Sequence, residues 1–222
     1  MKKLILTAMM SLGMLTLAAS DFDRHFSAGT LRIDLNHCGD ASTESYFLDK
    51  IVKEPYWGGS KVYLIDTLGY GNQHLRVYDA ATDSLIYSRG YCTLFNEWQA
   101  TDEARSVRKS YAESVVMPYP KDKVRVEIIA RDKRQRESRI FEMTVDPSDY
   151  LIIEPRQRYE TFDVIYSGPS EKTIDIAILS EGYTADQKEL FENDCRQFAE
   201  AILSFSPFKE NRRRFNFRAV WV

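Results

Sequence analysis

Histidine and cysteine are the residues from which a chain most readily builds a metal site or an activated nucleophile, and this sequence has only three of each. The histidines are His25, His37 and His74, and none lies in the H-E-x-x-H spacing that places two imidazoles and a carboxylate on one helix face. The cysteines form no C-x-x-C pair, and no serine lies in a G-x-S-x-G turn. The sequence therefore predicts no catalytic, cofactor-binding or metal-binding residue within its 222 positions.

Some local patterns resemble sites without having the geometry that a site needs. His37 and Cys38 are adjacent, but neighbours on a strand point to opposite faces, so we do not expect them to share a metal. The glycines in 58–60 and 69–71 are typical of turns. Neither group opens a helix directly after a strand, as a phosphate-binding loop must.

Two carboxylates are better placed for function than the rest. Glu181 and Asp186 follow the predicted strand 174–179, and ligands of open α/β sheets gather at the carboxyl ends of parallel strands. The favourable electrostatics of an acidic residue at a helix start also explain Asp186. We therefore keep both as candidates and assign neither a catalytic role.

The composition is that of an ordinary globular protein. Hydrophobic residues make up 44% and charged residues 28%, which excludes collagen-like, low-complexity and wholly disordered chains. Thirty basic and 33 acidic residues give a net charge of −3, so the chain has no basic excess for nucleic acid. The basic run 131–136 is expected to be a solvated hairpin tip, since a polyanion site needs a larger footprint.

Residues 1–20 have the three-part pattern of a signal peptide. Lys2 and Lys3 precede the apolar run 4–19, and small residues at positions 18–20 suit cleavage after Ser20. Cleavage leaves 28 basic and 33 acidic residues, a net charge of −5. We expect an exported protein that is periplasmic, on the cell surface or extracellular, with no stable membrane insertion after cleavage. The alternative is an uncleaved N-terminal anchor.

The cysteines number three, so their pairing is open in an oxidising compartment. One disulfide with a spare thiol and three free thiols both fit the count. We expect Cys38, Cys92 and Cys195 to be unpaired and mostly buried, because free cysteine is among the most buried residue types.

Residues 21–155 are predicted to form an antiparallel β-sandwich-like domain. Short alternating stretches and turns recur there without long helical periods. A short helix is expected over 101–109, capped by Thr101. The aromatic-rich segment 87–98 is expected in the core, although exposed aromatics on such a domain can also stack on sugars or peptides. The predicted strands are 30–35, 61–64, 75–78, 85–87, 124–128, 140–145 and 150–154.

Residues 156–222 have a different pattern, in which apolar strands at 174–179 and 215–222 flank a helix over 185–205. Thr184 and Gln187 have capping-box spacing, and the helix has one apolar stripe. Strand, helix, strand predicts a parallel βαβ unit. One helix covers one face only, so we expect an incomplete α/β domain with Ile and Val exposed on the other face, unless the first domain covers it. The stripe consists of Phe191, Cys195, Phe198 and Ile202.

A family resemblance rests on short stretches that run in order along the chain. Together they make residues 26–222 resemble the start of the secreted IgA-peptidase family of zinc metallopeptidases, metallopeptidase family sixty-four. The stretches are Leu31-Arg32-Ile33-Asp34, Trp57-Gly58-Gly59-Ser60, Ile86-Tyr87-Ser88-Arg89-Gly90, Phe95-Asn96-Glu97-Trp98, Asp102-Glu103-Ala104, Pro118-Tyr119-Pro120-Lys121, Val145-Asp146-Pro147, Ile174-Asp175-Ile176-Ala177, Ser180-Glu181-Gly182-Tyr183-Thr184, Pro207-Phe208 and Phe215-Asn216-Phe217.

The resemblance implies an N-terminal β domain, then a zincin-like domain that hydrolyses protein or peptide substrates with zinc outside the cell. In the family the H-E-x-x-H helix follows the strand that matches 215–222, so the resemblance carries no catalytic or zinc-binding residue onto this sequence. We expect zinc in a full-length relative, no cofactor in this chain, and no peptidase activity from these residues alone. The alternative function is a non-catalytic secreted β-sandwich module that binds a host or surface protein or a glycan.

Overall fold

The computed structural model describes residues 21–155 and 159–222. The predicted signal peptide, 1–20, lies outside the described residues and remains a prediction. Within the described ranges no helix is both long enough and apolar enough to span a bilayer.

Residues 21–155 form the β-rich unit that the alternating pattern predicts. A short helix, α1 (Asp21–His25), leads into seven strands in two antiparallel sheets, with strand orders β2-β1-β5 and β4-β3-β6-β7. The strands are β1 (Phe26–Gly39), β2 (Glu44–Glu54), β3 (Gln73–Asp79), β4 (Leu85–Tyr91), β5 (Lys109–Pro120), β6 (Val124–Arg131) and β7 (Glu137–Val145).

Both sheets contribute to one hydrophobic core, which makes this unit a sandwich. Leu31, Ile33 and Leu35 of β1 face Val126 and Ile128 of β6, and each of these side chains is at most 1% exposed. They share a face because side chains on a strand alternate between its two sides. Burying each one contributes about 1.5–3 kcal/mol relative to leaving it in water.

The predicted hairpins are confirmed, whereas two strands escaped the sequence analysis. The pairs β3–β4 and β6–β7 lie where the alternating stretches predicted them. The missed strand β2 has no clean polar-apolar alternation. The other, β5, contains Pro118 and Pro120, which count against a strand in a sequence pattern. Both prolines lie at the end of β5, where a missing N–H interrupts little of the ladder.

Three local predictions in this unit are wrong, one of them only in part. The segment 61–64 is irregular because its backbone is tied down by Ser60, whose Oγ accepts from the amides of Val62 and Tyr63. The helix expected over 101–109 forms only as one 3-10 turn, Glu103–Arg105, which Thr101 does not cap, and the α-helix of this region lies earlier, as α2 (Leu94–Gln99), capped by Thr93. Residues 150–154 contribute only one isolated bridge, from Ile153 to Val52.

Residues 159–222 form a separate three-stranded sheet with order β8-β10-β9. The parallel pairing of β9 with β10 across one helix confirms the predicted βαβ unit, and β8 adds an antiparallel strand. With the sandwich, this makes the described chain mostly β, at 44% strand and 18% helix. The elements are β8 (Glu160–Ile165), β9 (Ile174–Leu179), α3 (Lys188–Ile202) and β10 (Phe215–Trp221).

The helix α3 is shorter than predicted and its apolar stripe differs by one residue. The amide of Thr184 donates to the Oε1 of Gln187 at 3.0 Å, so the capping contact forms, but the helix begins only after it. Ala199, which is fully buried, takes the place expected of Phe198, which is 51% exposed. Phe191, Cys195 and Ala199 follow one another at intervals of four residues, so all three lie on the buried face of the helix.

The uncovered face of this sheet is more polar than expected. Ile176 and Ile178 pack on the helix side, because alternation along β9 puts Ala177 and Leu179 on the other. Asp163 and Arg218 form an ion pair of 2.8 Å on exposed positions of β8 and β10. The expectation of an isoleucine-lined free face is therefore wrong for the centre of β9.

The predicted boundary near residue 155 has a direct test. The two units meet through few groups, among them an ion pair of 3.6 Å between Lys61 and Glu171. Limited trypsin digestion followed by mass spectrometry should therefore remove the chain after about residue 155 and leave the sandwich intact. A fragment that resists digestion as far as Val222 would contradict this division.

Candidate functional site

The carboxylates singled out in the sequence do not converge on a site. Glu181 and Asp186 both lie in the exposed connection between β9 and α3. The hydroxyl of Thr184 donates to Asp186 at 2.7 Å and lowers the pKa of that carboxyl. Since that bond serves the helix start, the structure brings no further chemical group to Asp186.

The histidines lie apart from one another, on different elements. His25 ends α1, and His74 lies inside β3, where its Nε2 is 3.2 Å from the carbonyl oxygen of Gly71. Burial, together with the positive charge of Arg131, lowers the pKa of His74 and favours its neutral form. His37 is fully buried at the far end of β1 and has the most elaborate surroundings of the three.

His37 is held between two carboxylates. Its Nδ1 lies 3.1 Å from Oε1 of Glu113 on β5, and its Nε2 lies 3.0 Å from Oε2 of Glu44 on β2. Carboxylates accept hydrogen bonds and do not donate them, so an imidazole bonded to both acts as a double donor, an imidazolium. The group therefore joins all three strands of its sheet through charge-assisted hydrogen bonds.

Aromatic rings enclose the imidazole from both faces. Tyr46 stacks on one side with a centroid distance of 4.0 Å, and Phe95 of α2 stacks on the other at 3.8 Å. A cation over aromatic faces is stabilised by their quadrupoles. The hydroxyl of Tyr46 also donates to Oε2 of Glu113 at 2.9 Å, so the same side chain contacts both members of the ion pair.

The protonation of His37 follows from this arrangement. Burial by itself would lower its pKa, but hydrogen bonds to Glu113 and Glu44 outweigh burial and raise the pKa of His37 above its usual value. The folded protein therefore keeps the charge on His37 to a higher pH than an ordinary histidine would.

Amides complete the cluster from the second sheet and from α2. The Nε2 of Gln73 on β3 donates to Oε2 of Glu44 at 3.0 Å, and the Nδ2 of Asn96 approaches the same oxygen at 3.4 Å. The Oε1 of Gln73 is buried and has no hydrogen-bond partner among the described residues. The cluster thus links the two sheets through a network with one free acceptor.

This cluster does not fit a zinc ion. Both ring nitrogens of His37 already face carboxylates, and Glu44 and Glu113 approach the ring from its two different nitrogens, so the three side chains do not point at one centre. Within residues 21–155 and 159–222, no group of three or more His, Cys, Asp or Glu side chains has the arrangement of a metal site. The role that the geometry supports for His37 is to hold the sandwich together.

Sequence reasoning missed this cluster because its members are far apart in the chain. Glu113 is 76 positions from His37, and the spacing of single residues cannot reveal such a contact. One signal was present, since His37 continues the alternating series of Leu31, Ile33 and Leu35 on the buried face of β1. A histidine in that series predicts burial and hence polar partners.

The cysteines show how strand alternation separates adjacent residues. Cys38 lies on the opposite side of β1 from His37, and its Sγ is 3.2 Å from Oγ of Ser110. All three cysteines are free, as expected, but only Cys195 is buried, so the expectation of mostly buried thiols is wrong. Cys92 is exposed just after the end of β4.

A groove opens on the side of the sandwich formed by β4 and β5. Its volume is about 780 Å³, and residues of both units line it. Tyr91 is one of the lining residues of the groove. Its side chain is also a neighbour of Tyr46, because burial and the proximity of Tyr91 together raise the pKa of Tyr46. The groove therefore lies directly beside the His37 cluster.

Comparison with protein families assigns the chain. Residues 21–142 match the model described as Peptidase M64 N-terminus, and residues 162–222 match the model described as IgA Peptidase M64. The first match alone spans more than half of the chain. The chain belongs to the M64 family of IgA peptidases. The two matches fall on the two units that the structure separates, with the IgA-peptidase match covering the βαβ unit.

Other comparisons add little to the family assignment. No curated protein matches the sequence. Among solved structures, a chain titled BON1-C2B is 13% identical and covers 59% of this chain and 72% of its own, with a TM-score of 0.26. A score of that size supports no conclusion about fold or function.

Replacing His37 tests whether the cluster is an ion pair network. His37→Gln leaves Glu44 and Glu113 facing each other without a cation, so the free energy of unfolding should fall by about 3 kcal/mol at pH 6. Urea unfolding followed by circular dichroism measures this change. His25→Gln, a substitution outside the cluster, should change the free energy by less than about 0.5 kcal/mol.

The difference in unfolding free energy between the parent protein and His37→Gln should depend on pH with a defined sign. A histidine whose pKa is raised on folding contributes stability below its unfolded pKa, about 6.5, and loses it as pH rises through the folded pKa. The difference between the parent and His37→Gln should therefore shrink as pH rises above about 6.5. The opposite contribution of His74 is common to both proteins. A difference that stays constant or grows with pH would show that His37 is neutral.

Proposed function

We propose that this chain is the N-terminal portion of an exported zinc metalloendopeptidase of the IgA peptidase family. In this proposal residues 21–155 are an accessory β-sandwich domain, and residues 156–222 open the catalytic domain. The observation that carries it is the order of the two family matches on two distinct structural units, the second of which has a parallel βαβ unit. Family membership makes a protein or peptide the substrate class.

The zinc-binding motif belongs, on this proposal, to sequence that follows Val222. The 222 residues contain no H-E-x-x-H motif, and the described residues offer no alternative donor set. Since no described residue fits the metal, we derive no catalytic step for this chain. Its own contribution is the sandwich, the groove beside it, and the sheet on which the catalytic domain begins. Export and signal cleavage after Ser20 belong to the same proposal.

A metal and activity measurement tests this proposal. The 222-residue chain and the product of the same locus read past codon 222 are purified, analysed for bound zinc, and incubated with unfolded casein. We expect no bound zinc and no cleavage from the shorter chain, and about one zinc per molecule with cleavage from the longer product. A substitution of the motif glutamate in the longer product is the control, because it should keep zinc and lose cleavage.

Two results would overturn the assignment. A locus that ends at codon 222 would exclude a longer product, and stoichiometric zinc with cleavage from the 222-residue chain would show that its own residues form the site.

The alternative is a non-catalytic secreted module that binds a host or surface protein or a glycan. One observation favours it, the groove of about 780 Å³ with Trp57 and Tyr63 in its lining. Saturable binding of immobilised mucin, with no peptidase activity from any product of the locus, would support this alternative over the first proposal.

A further inference from the structure

The two sides of the sandwich differ in how they are closed. At one side β2 and β7 lie against each other, so the edges of the two sheets meet. At the other side the edge strands are β4 and β5, and the groove lies between them. Edge strands present unpaired backbone groups, which proteins ordinarily cover or blunt.

The edge of β4 is covered, whereas the edge of β5 is open. The amide of Ser88 donates to the carbonyl of Leu64, and the amide of Gly90 donates to Oδ2 of Asp66, each at 2.9 Å. On β5, the backbone pairs with β1 alone among the described elements. Lys109 and Pro118 blunt the two ends of that edge, and between them Ser114, Val115 and Val116 line the groove, so the free backbone groups of this stretch lie at its margin.

The groove walls add side chains of a suitable kind. Besides Ser114, Val115 and Val116 of β5, the lining includes Trp57 and Tyr63. Tyr63 is 82% exposed, so its ring is available to a ligand. Free backbone groups beside aromatic rings are the features that bind an extended polypeptide by strand addition. The backbone of such a ligand pairs with the edge strand, and its alternate side chains contact the groove lining.

One charge in the groove is uncompensated. Arg89 of β4 lines the groove, is exposed, and forms no ion pair with any described residue. A ligand with a carboxylate would satisfy it. Ser170 and Glu171, from the unit that matches the IgA peptidase, also line the groove. A polypeptide in this groove would therefore contact both units at once.

We infer that β5 accepts an extended, acidic polypeptide segment as an added strand in this groove, with a carboxylate of the segment against Arg89. This inference rests on the proposed function, in which the substrate is a polypeptide, and it assigns the sandwich the role of holding that substrate beside the catalytic unit. A sugar would use the aromatic rings but would leave the backbone row of β5 unpaired.

Fluorescence anisotropy with two labelled peptides tests the inference on the full chain. The first is an eight-residue peptide of alternating valine and glutamate, and the second has the same sequence with every amide nitrogen methylated. N-methylation removes the donors that strand addition needs and keeps the side chains. The first peptide should bind saturably, and the second should bind at least about tenfold more weakly.

Protein variants locate the binding in the groove. Arg89→Ala and Tyr63→Ala should each weaken binding of the unmethylated peptide by about five- to tenfold. Arg134→Ala and Tyr150→Ala remove an exposed arginine and an exposed tyrosine outside the groove lining, and they should leave binding unchanged. Because Arg89 and Tyr63 are exposed, circular dichroism should show an unchanged fold for both groove variants.

Several outcomes would overturn the inference. Equal binding of the two peptides would exclude strand addition, and unchanged binding by the groove variants would place the peptide elsewhere. Binding of a sialylated oligosaccharide instead of the peptide would make the groove a glycan site, and sedimentation as a dimer without peptide binding would make β5 an interface between copies. The assay needs neither zinc nor turnover, so its failure leaves the peptidase assignment standing, and an inactive longer product leaves the binding result standing.

Discussion

The sandwich depends at one end on a buried cation between two anions. His37 occupies a position that alternation assigns to the core, so its ring cannot reach water and needs partners inside the protein. Glu44 and Glu113 supply them from the strands on either side, and Tyr46 and Phe95 enclose the ring. Both hydrogen bonds of His37 form only when β2, β1 and β5 are in this register, so a shift of either neighbouring strand would leave the buried ring without a partner.

This arrangement also separates structural from functional chemistry in the chain. His37, Glu44 and Glu113 are residue types that bind metals, and they lie close together in the core. Their donor atoms do not point at a common centre, because the two carboxylates bond to different nitrogens of the ring. Within the described residues the chain has no other candidate for zinc. The exposed feature of the chain that can bind a ligand is the groove along β5, which residues of the unit matching the IgA peptidase also line.

The sequence predicted what local patterns determine. Strict alternation in 124–128 and the apolar run 174–179 placed β6 and β9, and the order of those patterns gave two units of different class. It failed where tertiary contacts decide. The strand β2 forms because it pairs with β1, although its own sequence has no strand pattern. The strand β5 contains prolines, but they lie at its end, where a missing backbone N–H does little harm.

The site was less predictable than the fold. His37 and Glu113 come together only through the register of β1 with β5, and the groove exists because β4 and β5 lie at the same side of two different sheets. Neither property has a signature in residue spacing. Family resemblance supplied the assignment to the IgA peptidases, since the chain itself contains no catalytic motif.

The most direct test of this account is nitrogen NMR of His37 in the folded protein at pH 6, before and after one equivalent of Zn²⁺. The account predicts that both ring nitrogens are protonated, that each is hydrogen-bonded, and that neither resonance moves when zinc is added. A neutral ring whose unprotonated nitrogen shifts on zinc addition would contradict it, because His37 would then be a metal ligand and the zinc chemistry would lie within this chain.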